Sequence, residues 1–470
     1  MASSRAGLRT EGALYEAISR GNKDTFFFEE DPEKAVNPFE NRYDRIPPSI
    51  QELRRIPPLN GAEFGRSCEF EFETAGDIFL RPTILIDLPS WFPPNEAALN
   101  PTTSITDSVT GERYGYTNGI GYFLFNKIQI FQDKLLLEEF TGDALFATRA
   151  ARGNLNSAYL ENQLAGWHDG SAASIGAAAT PPRLRLELPF LGGRNGFPSI
   201  AMRKQPFKLR LELRALEDII ESSNPATTVA PKPWTRRFQI AGSPPTQFTP
   251  LSRTAIPSPT LQLETRHAYT DGETQLTLRS KPLEIAFSRI YENTFTFSPT
   301  DYAPLIRGVP AYVSRRVDAQ HPASRLLWFL RSQNDVRTGR RWKFSPDISG
   351  AEYYTGESLI IAGRDRETLF TPFVWNALTH HAKEDRDPGP GIGEMTWDLG
   401  DIRGRRVPWD RQPEGTINFT TADRPTLYTT LAAVPNDTLL GAPSTEMTAI
   451  VDTWALYTIE HDRGVLKYGN

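Results

Sequence analysis

The chain has few of the residues that usually build redox and metal sites. It contains one cysteine, Cys68, and six histidines in 470 residues. A single cysteine cannot form an intramolecular disulfide, so nothing in the sequence indicates an oxidising compartment. Cys68 stands in the alternating segment SCEFEF and is interpreted as an ordinary strand residue.

Long apolar runs and an excess of basic charge are also missing. The sequence contains no run of ~18 apolar residues, so no membrane-spanning helix is predicted. The N-terminus lacks the pattern of a signal peptide. The net charge is −5, and no arm rich in lysine or arginine is present. A protein that neutralised nucleic acid would need such an arm or face. We therefore expect no direct nucleic-acid binding, and a soluble protein of the cytoplasm or nucleus.

Proline and glycine are abundant instead. The 38 prolines and 34 glycines favour turns and irregular loops, as in all-β proteins with many short strands. A chain of 470 residues is too long for one ordinary domain and suits two or three.

Apolar and charged residues alternate with a period of two through much of the chain. The segment FKLRLELR at 207–214 is the clearest case, and CEFEFE at 68–73 and LRLEL at 184–188 repeat it. Such segments predict strands with one face on a core and the other in water. Longer apolar runs at 78–88 and 121–137 predict strands that are more deeply buried. The pattern resumes in the second half, with predicted strands at 274–278, 283–290, 294–297, 326–330, 358–362, 415–419 and 453–459.

A proline-rich stretch separates the two halves and predicts a stiff connector. The resulting division is an N-terminal arm with a short helix at 1–24, a first sandwich at 25–222, the connector at 223–257 and a second sandwich at 258–470. Residues 142–182 break the period: residues 145–164 predict one or two short helices inside the first sandwich, and residues 169–182 predict a loop rich in glycine, alanine and serine. Excursions of this length are usually functional or form interfaces. No repeat is visible at the level of sequence, so a duplication is inferred at this point from the pattern of strands.

The candidate chemical sites are each incomplete. His380 and His381 are the only histidine pair, and adjacent strand positions point to opposite faces, which disfavours a shared metal. The segment WHDG at 167–170 has no accompanying nucleophile motif and is interpreted as a surface turn. GPGIG at 389–393 lacks the lysine of a phosphate loop and is interpreted as a flexible loop tip. A hydrolase would need paired carboxylates in a groove, and the only candidate cluster, a weak one, is Asp385, Asp387, Glu394 and Asp398.

Two basic clusters and two sequons remain. The clusters are RTGRRWK at 337–343 and RGRR at 403–406, and salt links between subunits or plain solvation are favoured over base stacking for both. The sequons start at Asn418 and Asn436; without a secretory signal we expect both to be unused.

Two segments carry a specific resemblance. RQPEGTINFT at 411–420 and HPASRLLWFL at 321–330 resemble segments of the major capsid proteins of nucleocytoplasmic large DNA viruses. Further similar segments follow in the family's order: GALYEAISRGNKD at 12–24, GDI at 76–78 with LP at 88–89, YTNGIG at 116–121 with GDAL at 142–145, LELPF at 186–190 with GFPSI at 196–200, and LKYGN at 466–470. The chain departs from the family at FFFEEDPEK (26–34) and at Gly192-Gly193.

The resemblance implies an all-β fold of two consecutive eight-stranded antiparallel jelly-roll sandwiches with long loop insertions and a short N-terminal helical arm. It implies a structural virion protein, not an enzyme, with no catalytic, cofactor or metal residues. Such a protein forms a homotrimer, a pseudo-hexagonal capsomer that tiles an icosahedral shell. Expected partners are neighbouring capsomers and minor capsid and penton proteins, with an internal membrane reached only through other proteins. The expected location is the virion, assembled in the host cytoplasm.

Two alternatives stay open at this point. One is a minor or second capsid protein of the same fold. The other, from a different class, is a carbohydrate-binding or hydrolytic β-sandwich protein.

Overall fold

A computed structural model describes residues 49–72, 76–80, 82–99, 104–151, 162–191, 196–202, 205–242, 244–280, 282–346, 352–379, 391–397, 415–433 and 444–467. By its contacts the chain divides into Met1–Ser49 and Ile50–Asn470, and the strands and helices described here belong to the second unit. The expected N-terminal arm at 1–24 lies outside the described residues.

Strands dominate both halves. Those of the first half are β1 (Ile50–Ile56), β2 (Ser67–Phe72), β3 (Ile78–Phe79), β4 (Thr83–Asp87), β5 (Ile105–Asp107), β6 (Tyr114–Tyr116), β7 (Phe125–Gln132), β8 (Leu135–Phe140), β9 (Leu184–Glu187), β10 (Phe207–Leu213), β11 (Ile220–Ser222), β12 (Phe238–Ile240), β13 (Thr246–Phe248) and β14 (Thr260–Tyr269). Those of the second half are β15 (Leu283–Phe297), β16 (Ala311–Arg316), β17 (Pro322–Ser332), β18 (Tyr354–Ile361), β19 (Arg364–Phe370), β20 (Ile392–Thr396), β21 (Ile417–Asn418), β22 (Thr426–Leu431), β23 (Thr445–Glu460) and β24 (Arg463–Lys467).

Short helices lie in the connections. They are α1 (Pro94–Leu99), α2 (Ile120–Phe123), α3 (Gly142–Ala151), α4 (Ala172–Ala177), α5 (Gly272–Ser280), α6 (Pro299–Ile306) and α7 (Gln333–Arg337). Short 3₁₀ turns occur at Ser199–Ala201, Leu216–Ile219 and Pro233–Thr235, and a π-helical turn at Val374–Leu378. Among the described helices, none is long and apolar enough to cross a bilayer.

The two halves have the same strand order. In the first half the main sheets are ordered β1-β14-β4-β9 and β2-β10-β7-β8, and in the second half β15-β23-β17-β20 and β16-β22-β18-β19. If the strands on these paths are numbered along each half, both halves read 1-8-3-6 and 2-7-4-5. All the pairings are antiparallel. This order, in two facing sheets, is that of a jelly roll. The inferred duplication is therefore present in the topology.

The alternating segments form strands as predicted. In β10, the apolar Phe207, Leu209, Leu211 and Leu213 are buried, and the intervening charged residues are exposed or half-buried. Cys68 lies in β2, fully buried, and burial raises the pKa of its thiol to about 12. It is the ordinary strand residue that was expected.

Two elements differ from expectation, and a third agrees with it as far as it is described. The predicted strand at 274–278 lies in helix α5, where Asp271 accepts a hydrogen bond from the backbone N–H of Thr274 (3.2 Å) and so caps the first turn. The apolar run at 121–137 is not one strand: it contains the end of α2, all of β7 and the start of β8, and β7 and β8 form a hairpin. The predicted helical excursion begins as α3, and residues 152–161 lie outside the described residues.

Strand β14 lies in the first sandwich, although the expected boundary at 258 assigns it to the second. It pairs with β1 along its length, with Ile50 opposite Tyr269, and with β4 on its other side. A jelly roll needs its last strand between its first and third, so the chain must return to the first sandwich after the proline-rich connector. The change to the second sandwich falls after Tyr269.

Candidate functional site: the interface between the two sandwiches

Strand β17, inside one sheet of the second sandwich, is buried on both faces. Along β17, Leu326, Trp328 and Leu330 belong to the core of the second sandwich. The alternate residues Leu327 and Phe329 belong to a core cluster shared with the first sandwich. Strand residues alternate between faces, so the apolar run LLWFL serves two cores at once. The sheet that contains β17 therefore separates the two cores, and β17 is called the wall strand below.

A buried carboxylate, Asp143 in α3, holds the two sandwiches together electrostatically. Its Oδ2 accepts from Arg214 of the first sandwich (2.8 Å) and from Arg331 of the second (3.0 Å). Arg341 approaches the same oxygen at 3.7 Å. Arg331 also donates to Glu446 of β23 (2.8 Å). One carboxylate thus faces three guanidinium groups from two lobes.

The charges of this cluster are strongly coupled. Burial alone would raise the pKa of Asp143, but Arg214, Arg331 and Arg341 outweigh it and hold the pKa below its usual value. Burial and the neighbouring Arg214 lower the pKa of Arg341 to about 10, which leaves it charged at neutral pH. Arg341 is therefore a less stabilised cation than Arg331, whose pKa is raised by Asp143 and Glu446.

A second polar contact joins β8 to β15. Thr141, directly after β8, donates its backbone N–H (3.2 Å) and its Oγ1 (2.9 Å) to the carboxylate of Glu292. Burial and the nearby Asp143 raise the pKa of Glu292 to about 7. Three residues earlier on each strand, Glu138 is buried near Arg289; burial raises the pKa of Glu138 to about 8, and Arg289 opposes the rise.

The segment after α7 contacts backbone carbonyl groups of the first sandwich. Gly339 has a φ of +81°, and a Cβ there would lie 2.2 Å from the carbonyl oxygen of Ile220, so only glycine fits. Next to it, the buried Arg340 donates to three carbonyl oxygens that share one turn of the first half: Ser222, Asn224 and Pro225.

Trp342 completes the contact. Its Nε1 donates to Glu221 (2.8 Å), and the other carboxylate oxygen of Glu221 lies 3.3 Å from His168 Nε2. The ring of Trp342 also meets Trp167 edge-on, 6.2 Å between centroids. Trp167 in turn stacks on Phe146 of α3 at 5.3 Å.

Two motifs singled out in the sequence thus meet here. The segment at 337–343 was expected to be solvated or to link subunits. For Arg340, Arg341 and Trp342 this is wrong, because their side chains contact residues of the first sandwich in the same chain. The WHDG segment at 167–170 is not an isolated surface turn either, since Trp167 and His168 are part of the same contact.

The other candidate site residues fall elsewhere. Glu394 is fully buried in β20 and accepts from Arg325 (3.1 Å) rather than lining a groove. Asn418 is exposed in β21, and its Oδ1 accepts from the backbone N–H of Thr420. His380, His381, Asp385, Asp387, Asp398, Asn436 and the cluster at 403–406 lie outside the described residues. Within the described part of the chain, no group of three or more His, Cys, Asp or Glu side chains could hold a metal ion.

Sequence reasoning did not single out the carboxylates of the interface, Asp143, Glu221 and Glu292. Two signals were present. Asp143 lies in the GDAL segment that carried part of the resemblance, and Arg331 puts a charge directly after the apolar run of β17. Neither signal says which partner it meets, because the partners are up to 188 residues away along the chain.

Comparison with known proteins finds similarity through structure alone. No protein-family model and no curated protein matches the chain. The PBCV-1 protein VP54, from a crystal structure fitted into a reconstruction of the virophage Sputnik, superposes with a TM-score of 0.67 at 15% identity, covering 92% of this chain and 100% of VP54. A quasi-atomic model of the PBCV-1 virus capsid gives 0.66 at 14% identity, with 92% and 100% covered. The Faustovirus major capsid protein gives 0.61 at 12% identity, with 98% and 99% covered.

The likeness at these identities concerns the fold, and it extends over both sandwiches rather than one. It agrees with the strand order, which occurs twice in succession, and with the expected pair of jelly rolls. The chain therefore has the double jelly-roll fold of these viral capsid proteins.

Proposed function

We propose that this chain is a structural shell protein, a major capsid protein whose copies associate into trimeric capsomers. The observation that carries the proposal is the repeated strand order, 1-8-3-6 and 2-7-4-5, in two sandwiches joined by a buried interface. The fold likeness to a viral capsid and to a major capsid protein over nearly the whole chain supports it.

The geometry suits a shell because it supplies six similar lobes from three copies. A three-fold ring of chains with two similar sandwiches each has an outline close to six-fold, and such an outline packs in a hexagonal lattice. This requires that the two sandwiches of a chain keep a fixed orientation. The cluster around Asp143 and the contacts of Arg340 and Trp342 supply that rigidity.

The remaining features of the proposal follow from this role. The chain acts in the virion, assembled in the host cytoplasm, and contacts neighbouring capsomers together with minor capsid and penton proteins. It performs no catalysis. The hydrolytic alternative loses support, because Glu394 is committed to Arg325 inside the second sandwich. As domains we propose a first jelly roll that includes β1 to β14 and a second that starts at β15.

The test is the mass of the purified protein in solution. We expect a trimer, about three times 52.7 kDa, by size-exclusion chromatography with light scattering at micromolar concentration. A stable monomer over the whole concentration range would contradict the proposal. Binding of that monomer to a glycan array would favour the carbohydrate-binding alternative.

A further inference from the structure

The interface between the two sandwiches contains buried polar atoms that find no hydrogen-bond partner within the part of the chain that the structure describes. They are Oδ1 of Asp143, Nε of Arg214 and Nε of Arg341. The three side chains meet at a single atom, Asp143 Oδ2, which lies 2.8 Å from Arg214 and 3.7 Å from Arg341. Buried polar groups are normally hydrogen-bonded, so two unpaired donors and one unpaired acceptor at one place indicate a ligand.

Positive charge is in excess around these atoms. Within ion-pair distance, the three cations Arg214, Arg331 and Arg341 meet only two carboxylates among the described residues, Asp143 and Glu446. The contact of Arg341 with Asp143 is also longer than a hydrogen bond. A buried charge is costly unless it is paired, so a further anion would stabilise this arrangement.

Neighbouring groups do not remove the excess. Burial and the nearby carboxylate of the cluster raise the pKa of Glu292 to about 7, so at neutral pH this residue carries only part of a negative charge. Asp218 raises the pKa of Arg341 less than Arg214 lowers it. Arg340 is a further buried cation, and its described hydrogen bonds all go to carbonyl oxygens.

The unpaired atoms select the kind of anion. A water molecule could make the hydrogen bonds, but it carries no charge. Sulfate has acceptor oxygens only, so it could bind the two Nε–H groups but would repel the carboxylate oxygen Asp143 Oδ1. Phosphate keeps at least one P–O–H group at neutral pH. That group can donate to Asp143 Oδ1 while the other phosphate oxygens accept from the arginines.

We propose that inorganic phosphate binds at this junction, between Arg214 of the first sandwich and Arg341 after α7, and donates its P–O–H to Asp143. The side chains of Asp143, Arg214 and Arg331 are each less than 10% exposed and that of Arg341 is 10% exposed, so the ion enters beside Arg341. This burial favours the free ion over a phosphate ester with a further group attached. The inference goes beyond the proposed function, because the site lies within one chain and needs no trimer.

Titration calorimetry on the wild-type protein tests the ligand. In a phosphate-free buffer at pH 7 and constant ionic strength, sodium phosphate should give saturable binding at one site and raise the thermal unfolding midpoint as its concentration rises. Sodium sulfate and phenyl phosphate should each bind at least about tenfold more weakly, since each lacks one required feature. Absence of saturable phosphate binding would overturn the inference. Equal binding of sulfate would overturn the contact with Asp143, and equal binding of phenyl phosphate would overturn the assignment to the free ion.

Two variants locate the site. Arg341→Gln removes a cation and an Nε–H donor, and should weaken phosphate binding by at least about tenfold. Arg183→Gln is the matched control: its side chain is 52% exposed and pairs with Asp87 at the surface, so its affinity for phosphate should equal that of the wild type. Circular dichroism checks that both variants fold.

If Arg341→Gln does not fold, Arg341→Lys replaces it. Lysine keeps the charge but lacks the planar fork of donors, so phosphate should still bind more weakly than in the wild type. Wild-type affinity in a folded Arg341 variant would place the phosphate elsewhere and overturn the inference. None of these results bears on the trimer, whose mass is measured separately.

Discussion

Asp143 is the residue on which most of the interface charge depends. A buried ion pair adds little compared with an apolar pair of the same shape, but removing one partner leaves the other charge buried and uncompensated. Here one carboxylate faces three guanidinium groups, and among the described residues only Arg331 has a second acidic partner within hydrogen-bonding distance, Glu446. The cluster therefore stabilises the interface only while Asp143 is present.

Replacing Asp143 with Asn should be strongly destabilising. We expect a loss of about 3–5 kcal/mol in the free energy of unfolding, measured by urea denaturation, because three buried arginines lose their shared anion. Asp87→Asn is the control. It breaks an ion pair with Arg183 in which the Asp87 side chain is 39% exposed and the Arg183 side chain 52% exposed, so little stability should be lost. Equal effects of the two substitutions would contradict the assigned role.

Glu292 should make stability fall as pH rises. Its pKa is raised to about 7 in the folded chain against a usual value of 4.5, so the folded state holds the proton more tightly than the unfolded state. Below pH 4.5 both states are protonated and the residue contributes no pH dependence. Between about pH 4.5 and 7 the unfolded state releases its proton first, which lowers the free energy of unfolding; above that the loss is constant.

The Glu292→Gln variant isolates this contribution. Glutamine cannot ionise and can still accept from Thr141, so the fall in stability between pH 5 and 8 should be about 1–3 kcal/mol smaller than in the wild type. Urea denaturation at a series of pH values measures it. Parallel pH profiles for the two proteins would show that Glu292 ionises normally.

At the scale of elements, β20 shows how a sequence motif can mislead. GPGIG at 389–393 suggested a flexible loop tip, yet Gly393 lies in β20, paired with Trp328 of β17. A Cβ at Gly393 would lie 2.4 Å from the indole ring of Trp328. The glycine is present because the tryptophan needs the space.

Gly393→Ala should therefore overpack the core of the second sandwich. We expect a loss of about 1–3 kcal/mol, read from the urea midpoint at unchanged slope. Gly272→Ala is the control: nothing lies within 4 Å of its added Cβ, and alanine favours helix α5, so stability should be unchanged or slightly higher. A neutral Gly393→Ala would mean that the Trp328 ring moves freely.

Local patterns predicted the strands well where one face is wet. β2, β9 and β10 alternate cleanly, and each is a strand with its apolar face buried. The prediction of a strand at 274–278 failed because the segment holds only two apolar residues, Leu276 and Leu278, which are too few to establish a period of two. Asp271 stabilises a helix here by accepting a hydrogen bond from the backbone N–H of Thr274. In this helix Leu276 is 72% exposed.

For the whole molecule, the class of fold was predictable and the interface was not. The paired halves followed from the resumption of the strand pattern, and the resemblance supplied the jelly roll. The interface depends on pairs such as Arg331 with Asp143, or Trp342 with Glu221, and no local pattern reports which distant residue a buried charge will meet. The return of β14 to the first sandwich was missed for the same reason, since strand pairing across the connector leaves no mark in the local sequence.

The wall strand β17 has an unusual problem of register. In a half-exposed strand, a slip of one residue would turn the apolar row to water, and that penalty fixes the alignment. β17 has a row of apolar side chains on each face, so a slip of one residue would only exchange one apolar face for the other. Its two buried arginines remove the ambiguity: Arg325 must reach Glu394 and Asp452, and Arg331 must reach Asp143 and Glu446. Because these ion pairs lie towards both ends of the strand, a misaligned sheet would leave buried charges unpaired.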